Sequence, residues 1–234
     1  MAIFHHSMKN GKKNTAHEHC AYNTRSGKKY EARHDLIYTT HRNIPNDDPP
    51  AFWNAADKFE RANGTAYREH EIAIPAELTL DAQIKLVNRL ADELVPGKPC
   101  EISIHCGESS IEGCLNPHVH MMFSDRVPDG LGRPLERIFK RANSQQPELG
   151  GWRKDSGGRD RAQMKELART RREIVANTIN EALAEAGIKE RVDHRSLRDQ
   201  GIDRQPERHL GPAAVKAMSA EDKASHIDMR RRRA

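Results

Sequence analysis

Long apolar runs are missing from this chain of 234 residues. No stretch approaches the roughly 20 consecutive apolar residues that a membrane span needs, and residues 1–10 lack the apolar core of a secretory signal. Hydrophobic residues make up only 36% of the sequence, whereas charged residues make up 31%. We therefore expect a cytoplasmic protein without membrane insertion, whose core is surrounded by polar and irregular segments.

Cysteine is scarce as well. The four cysteines are Cys20, Cys100, Cys106 and Cys114. They form no Cys-x-x-Cys pair, and a chain of this length needs no disulfide scaffold, so we expect reduced thiols. Cys100, Cys106 and Cys114 lie near His118 and His120 in the sequence, which leaves a structural zinc site open as an alternative.

The net charge of +5 and the isoelectric point of about 9.1 favour a polyanionic partner. A helix predicted at 160–186 is rich in arginine, and Arg159 and Arg161 at its start are candidates for contacts with phosphates. The chain ends in a run of arginines. We predict one domain over 1–212 and a basic, disordered tail over 213–234.

Hydrophobic periodicity predicts helices and strands in alternation. Helices are expected at 15–25, 51–62, 80–95 and 160–186. Strands are expected at 2–4, 71–75, 100–106 and 117–124, with polar connections at 9–14 and 26–34. The pattern indicates an α+β fold: a central, mostly antiparallel sheet with helices packed on one face and an open face that binds DNA.

Three histidines fall on the two best-defined strands. Side chains alternate between the two faces of a strand. His105 therefore lies on the face opposite Ile102 and Ile104, and His118 and His120 share one face. Three imidazoles on one open face can bind a divalent cation. A solvated polar face is the alternative.

Tyr22 completes a possible reaction. A phenol is a weak nucleophile, but polarisation of a phosphate by a bound cation compensates for this. The product would be a phosphotyrosyl enzyme, with single-stranded DNA as the substrate. Tyr30, Tyr38 and Tyr67 are alternative nucleophiles. Glu69 and Glu71, on the face of the histidines, either orient an imidazole or are ordinary solvated acids.

Several blocks resemble the MobA/MobL relaxases, a family of the His-hydrophobe-His endonuclease superfamily. The resemblance lies in residues 1–5, in Ala21-Tyr22 followed by Arg25, in 53–64, 69–75 and 78–81, in His105 with Asn116-Pro117-His118-Val119-His120, and in 193–196, 200–202 and 209–212.

The resemblance implies a site- and strand-specific nickase that acts on single-stranded DNA at a transfer origin and initiates conjugative mobilisation. It implies a five-stranded sheet, Tyr22 as the nucleophile, and Mg²⁺ or Mn²⁺ bound by His105, His118 and His120. Arg25 and Arg195 would join the DNA contacts. Accessory mobilisation proteins and a type IV coupling protein would be partners.

Two alternatives stay open. A rolling-circle replication initiator of the same superfamily places its tyrosine after the histidine motif, whereas no tyrosine follows Tyr67 here. The second alternative is a non-enzymatic, zinc-containing DNA-binding module whose histidines hold structural zinc, with cysteine involvement.

Overall fold

The computed structural model describes residues 4–108, 115–204 and 212–233. The strands there are β1 (His6–Lys12), β2 (Leu36–Arg42), β3 (Thr65–Ala73), β4 (Cys100–Glu108), β5 (Leu115–Phe123), β6 (Arg126–Val127) and β7 (Arg153–Lys154). The helices are α1 (Ala16–Asn23), α2 (Pro49–Phe59), α3 (Leu80–Leu94), α4 (Leu135–Ile138), α5 (Arg161–Glu185), α6 (Pro212–Ala217) and α7 (Ala220–Arg233).

The central sheet has five strands in the order β1-β3-β5-β4-β2, and every neighbouring pair is antiparallel. β6 and β7 form a separate two-stranded sheet. The predicted α+β class with a central antiparallel sheet is confirmed. The two strands that carry the histidines are β4 and β5, which lie next to each other.

One face of the sheet is covered by α3 and α5. Thr79 caps α3 by accepting a hydrogen bond from the backbone of Ala82 at 3.3 Å. The apolar stripe of α3 and residues of α5 such as Val175 and Ile179 are buried against Ile102 and Ile104 of β4. This layer is the main hydrophobic core. Because Ile102 and Ile104 face it, the alternate side chains of β4 lie on the opposite face of the sheet.

The second face is only partly open, because α1 and α2 cover one end of it. Phe52 and Trp53 of α2 are fully buried in a second apolar cluster that includes Tyr67 and Met122 of the sheet. The carboxylate of Asp57 in α2 accepts the first backbone N–H groups of α1 at 2.9 Å. The sheet and α2 therefore hold α1 in place beside the histidines.

Two segments differ from the sequence-based prediction. The polar run predicted as a loop at 9–14 is largely strand, because β1 pairs with β3 from His6 to Lys12. The strand predicted at 2–4 lies almost wholly outside the described residues. β2, which pairs with β4 at the sheet edge, was not predicted at all.

The structure describes α6 and α7 within the segment predicted as a disordered tail. Ser219 caps α7, since its hydroxyl accepts from the backbone of Asp222 at 3.1 Å and donates to the Asp222 carboxylate. The division of the chain at residue 212 stays a prediction. None of the described helices is long and apolar enough to cross a membrane.

Candidate functional site

The register of β4 and β5 brings the three histidines together. His105 is paired directly with His118, and Ser103 with His120. The three rings lie with centroids 4.8 to 5.5 Å apart, and one nitrogen from each ring falls within 4.8 Å of the others. The predicted cluster of three imidazoles is therefore present on the sheet face opposite α3 and α5.

Two of the imidazoles have a nitrogen ready for a cation. Nδ1 of His118 lies 2.9 Å from the carbonyl oxygen of Asn116, and Nδ1 of His120 lies 3.0 Å from Glu69. A ring that donates through Nδ1 carries its lone pair on Nε2. Nε2 of His120 is buried and has no partner among the described residues. This orphaned acceptor fits a bound divalent ion.

His105 is held more tightly by the protein. Its Nε2 lies 2.7 Å from the carbonyl oxygen of Asn23, and its Nδ1 lies 3.0 Å from the guanidinium of Arg25. Both nitrogens are thus in use, and one of these hydrogen bonds must open before His105 can bind a cation. Burial lowers the pKa of His105 to about 4 and also lowers that of His118, so both rings are neutral at pH 7.

Glu69 is fully buried beside the histidines. Its Oε1 accepts hydrogen bonds from His120 at 3.0 Å, His19 at 2.8 Å and Asn23 at 3.2 Å. Burial alone would raise the pKa of Glu69, but the hydrogen bonds from the two histidines outweigh it and hold the pKa well below its usual range. Glu69 is therefore an ionised acid that orients one imidazole of the cluster.

Glu71 lies directly opposite His120 on the neighbouring strand. It forms an ion pair with Lys9 of β1. One oxygen of Glu71 also lies within 4.8 Å of ligand atoms of Glu69 and His120, so these three side chains form a second group that could hold a metal. Both acids predicted from the sequence thus border the histidine cluster.

Tyr22 lies on the last turn of α1, half-exposed, at the edge of the cluster. Its ring centroid is 6.2 Å from that of His105 and 5.9 Å from that of His120. The other tyrosines are placed differently. Tyr30 and Tyr67 are buried, with the Tyr30 hydroxyl bonded to Glu18, and Tyr38 packs against the main core.

Arg25 lies just after α1 and is only 8% exposed. Its guanidinium makes two hydrogen bonds to Asp35, at 2.7 and 2.8 Å, and stands 4.4 Å from the ring centroid of Tyr22. The hydrogen bond from Arg25 lowers the pKa of Asp35 to about 2. Arg25, predicted to contact DNA, is thus surrounded by Tyr22, Asp35 and His105.

The other arginines predicted to contact DNA are exposed. Arg159 pairs with Asp155 at 3.1 Å, Arg195 pairs with Asp193 at 2.7 Å, and Arg161 begins α5. No hydrogen bond or ion pair joins them to the histidine cluster in the described ranges. Their role in DNA binding stays a prediction.

The zinc alternative finds little support. In the described ranges, neither group of side chains that could hold a metal includes a cysteine. Cys100 is buried in the main core, and the Cys20 thiol lies 3.1 Å from the carboxyl group of Glu101. Cys114 lies outside the described residues.

Two residues of the site, Asn23 and Asp35, were not singled out from the sequence. Asn23 and His19 contact the cluster from α1, and Asp35 precedes β2. The run Leu36-Ile37-Tyr38-Thr39-Thr40, rich in β-branched and aromatic residues, is typical of a strand and could have placed Asp35 at the sheet edge. The contacts of Asn23 and His19 depend on how α1 docks, which no local pattern shows.

Comparison with known proteins identifies relatives of this chain. Mobilization protein A of Escherichia coli is 38% identical over 222 residues, covering 92% of this chain and 30% of that protein. The 43 kDa relaxation protein of Salmonella typhimurium is 38% identical over 210 residues, covering 88% of this chain and 57% of that protein. The chain thus spans less than two thirds of either relative.

A solved structure described as "Molecular Basis of Vancomycin Resistance Transfer in Staphylococcus aureus" has the same fold. It matches with a TM-score of 0.60 and 22% identity, over 83% of this chain and 100% of that one. The sequence pattern of the MobA/MobL family matches residues 6–220. With nearly the whole chain matched, the protein belongs to the MobA/MobL family.

Proposed function

We propose that this chain is the relaxase domain of a mobilisation protein: a metal-dependent, DNA-nicking transesterase that acts at a transfer origin in the cytoplasm. The position of Tyr22 carries the proposal, since its ring borders two of the three clustered imidazoles at 5.9 and 6.2 Å. Membership of the MobA/MobL family supports a role in DNA mobilisation.

His105, His118 and His120 would hold Mg²⁺ or Mn²⁺, which, when bound, polarises a phosphate oxygen. Glu69 keeps His120 in the tautomer that presents Nε2, because its carboxylate accepts from Nδ1. Arg25 contacts both Tyr22 and His105 and so fixes the nucleophile relative to the cluster.

The hydroxyl oxygen of Tyr22 attacks the scissile phosphorus, and the bond from phosphorus to the 3′ oxygen breaks. The phenol loses its proton, and the departing 3′ oxygen gains one. The products are a 5′ phosphotyrosine and a free 3′ hydroxyl. One phosphodiester bond replaces another, so the reverse step can reseal the strand without a nucleotide.

The proposed substrate is single-stranded DNA, because an open sheet face beside a half-exposed tyrosine admits one extended strand. Accessory mobilisation proteins and a type IV coupling protein are the proposed protein partners, as the family resemblance implies. The basic net charge of +5 supports a DNA partner.

A labelled single-stranded oligonucleotide from the transfer origin associated with this gene tests the proposal. With Mg²⁺ or Mn²⁺ we expect a covalent protein–DNA band on a denaturing gel, which chelation or Tyr22→Phe removes. The matched control Tyr30→Phe should keep the band, and His118→Ala should lose cleavage but retain DNA binding. A band that persists in Tyr22→Phe would refute the proposed nucleophile.

A further inference from the structure

A second basic feature lies away from the histidines. A cleft of about 570 Å³ opens where the segment after α2 meets β6, β7 and the chain before β7. Five cationic side chains line it: Arg61, Arg126, Arg141, Arg153 and Lys154. Asp125, one of its lining residues, comes two residues after the end of β5, the strand that carries His118 and His120. The cleft therefore lies beyond the carboxyl end of that strand.

Two of the cations form the wall of the cleft. Arg126 donates to Glu60 at 2.8 Å and to the carbonyl oxygens of Lys140 and Trp152 at 2.8 and 2.6 Å. Lys154 reaches the same Glu60 oxygen at 3.1 Å. The single buried carboxylate of Glu60 thus pairs with two cations, so this wall of the cleft keeps an excess of positive charge. The same contacts fix the chain segments that form the wall to one another.

Three further cations line the cleft. Arg141 and Arg153 are exposed, and their guanidinium groups have no partner in the described part of the chain. Arg61 is 69% exposed in its side chain and reaches Glu60 only at 3.8 Å. The one acid among the described residues of the lining, Asp125, is already paired with Arg68 at 3.4 Å. The charge of this cleft is therefore unbalanced.

Trp152, a residue of the lining, also has a spare hydrogen-bond donor. Trp152 is only 6% exposed, and its indole Nε1 is buried without an acceptor within the described ranges. A buried N–H without a partner is uncommon, and an anionic oxygen would satisfy it. Unpaired guanidinium groups, a fixed cationic wall and an unsatisfied N–H are together suited to phosphate oxygens.

We propose that this cleft binds backbone phosphates of the single-stranded DNA, as a second anchor remote from Tyr22. The identity of the ligand as DNA depends on the proposed function. A strand held at both places would be fixed in position along the sheet face without any reading of its bases.

The test compares Arg141→Ala/Arg153→Ala with Lys85→Ala/Arg89→Ala, which removes two charges from α3 on the opposite face. Binding of a fluorescent oligothymidylate is measured by anisotropy in chelator, over a series of salt concentrations. The cleft variant should bind about tenfold more weakly at low salt, and its salt slope should fall by about 1.4, as expected for two lost single-strand phosphate contacts. The α3 variant should match the wild type.

Arg141→Lys/Arg153→Lys, which keeps the charges, should restore most of the affinity. Wild-type affinity and slope in the alanine variant would overturn the proposal. An alanine variant that loses binding to polyglutamate, an acidic polypeptide, but binds DNA unchanged would overturn it as well. The two proposals fail separately. If the wild type forms no covalent adduct, a reduced salt slope in the alanine variant would still support DNA binding by the cleft. If the adduct forms normally and the salt slope of the alanine variant is unchanged, only the proposal for the cleft is refuted.

Discussion

Oε1 of Glu69 on β3 lies 3.0 Å from Nδ1 of His120 on β5. The same carboxylate oxygen accepts a hydrogen bond from His19 of α1, so one buried acid connects the histidine cluster with the helix that carries Tyr22. The contact explains why an acid in the interior of the sheet stays ionised. It also sets the tautomer on which cation binding depends.

Loss of the Glu69 charge should weaken metal binding. We expect Glu69→Gln to reduce Mn²⁺ affinity about tenfold to a hundredfold, because an amide polarises the imidazole less than a carboxylate does. Isothermal titration calorimetry measures the affinity. Glu101→Gln is the matched control. Glu101 lies on the same face, but its carboxyl group accepts a hydrogen bond from Cys20, and burial raises the pKa of Glu101 to about 7. Equal affinities of the two variants would contradict this role of Glu69.

Arg25 should act on the nucleophile and not on the DNA backbone. Its two hydrogen bonds to Asp35 require a planar guanidinium, which lysine cannot provide. We expect Arg25→Lys to lower the rate of adduct formation by about a hundredfold, since a misplaced reacting group costs that much. The salt slope of DNA binding should stay unchanged. A slope reduced by about 0.7 would mean that Arg25 contacts a phosphate.

Gly11 on β1 should tolerate no side chain. A methyl group there would overlap the ring of Tyr67, which stacks on His19 with a centroid distance of 4.7 Å. We expect Gly11→Ala to destabilise the fold by about 1–3 kcal/mol, as measured by urea unfolding. Gly132→Ala is the control, because an added methyl group meets nothing within 4 Å there and should leave stability unchanged.

A buried histidine pair on the covered side of the sheet should make stability depend on pH. Nε2 of His6 lies 2.8 Å from Nδ1 of His70. Burial, with the charges of Arg172 and Arg171, lowers the pKa of His6 to about 4. In the unfolded chain the imidazole of His6 binds a proton near pH 6.5, whereas in the folded protein it stays neutral until about pH 4. Unfolding therefore becomes more favourable as the pH falls from 6.5 to about 4.

The loss from His6 alone should reach about 3 kcal/mol across that range. Urea unfolding at several pH values measures it. His6→Gln keeps a hydrogen-bonding side chain but takes up no proton, so its stability should vary less with pH. His17→Gln, at an exposed position, should follow the wild type. Equal pH dependence in all three proteins would exclude the His6–His70 pair as the cause.

Local sequence patterns predicted the site better than they predicted the sheet around it. Strand alternation correctly brought His105, His118 and His120 to one face, because β4 and β5 are regular strands whose aliphatic side chains face the main core. It failed for β1, where Lys9, Asn10 and Lys12 look like a loop although they pair with β3. Backbone pairing stabilises an edge strand of any composition, and that pairing is not visible locally.

The covered end of the histidine face was also not predictable. Whether α1 and α2 fold back over Met122 depends on long-range contacts, such as the hydrogen bonds of Asp57 to the first turn of α1. The same docking decides that Arg25 faces Asp35 and not solvent. The spacing of residues in the sequence predicts which side chains belong to the site. Their hydrogen-bond partners depend on tertiary packing.

The central claim is that Tyr22 becomes joined to DNA beside the histidine cluster. The covalent adduct, digested with nuclease and trypsin and analysed by mass spectrometry, tests it most directly. We predict a nucleotide phosphate on Tyr22 in the peptide covering residues 14–25. A nucleotide on Tyr30, in the peptide covering residues 30–33, or no modified tyrosine at all would contradict the account.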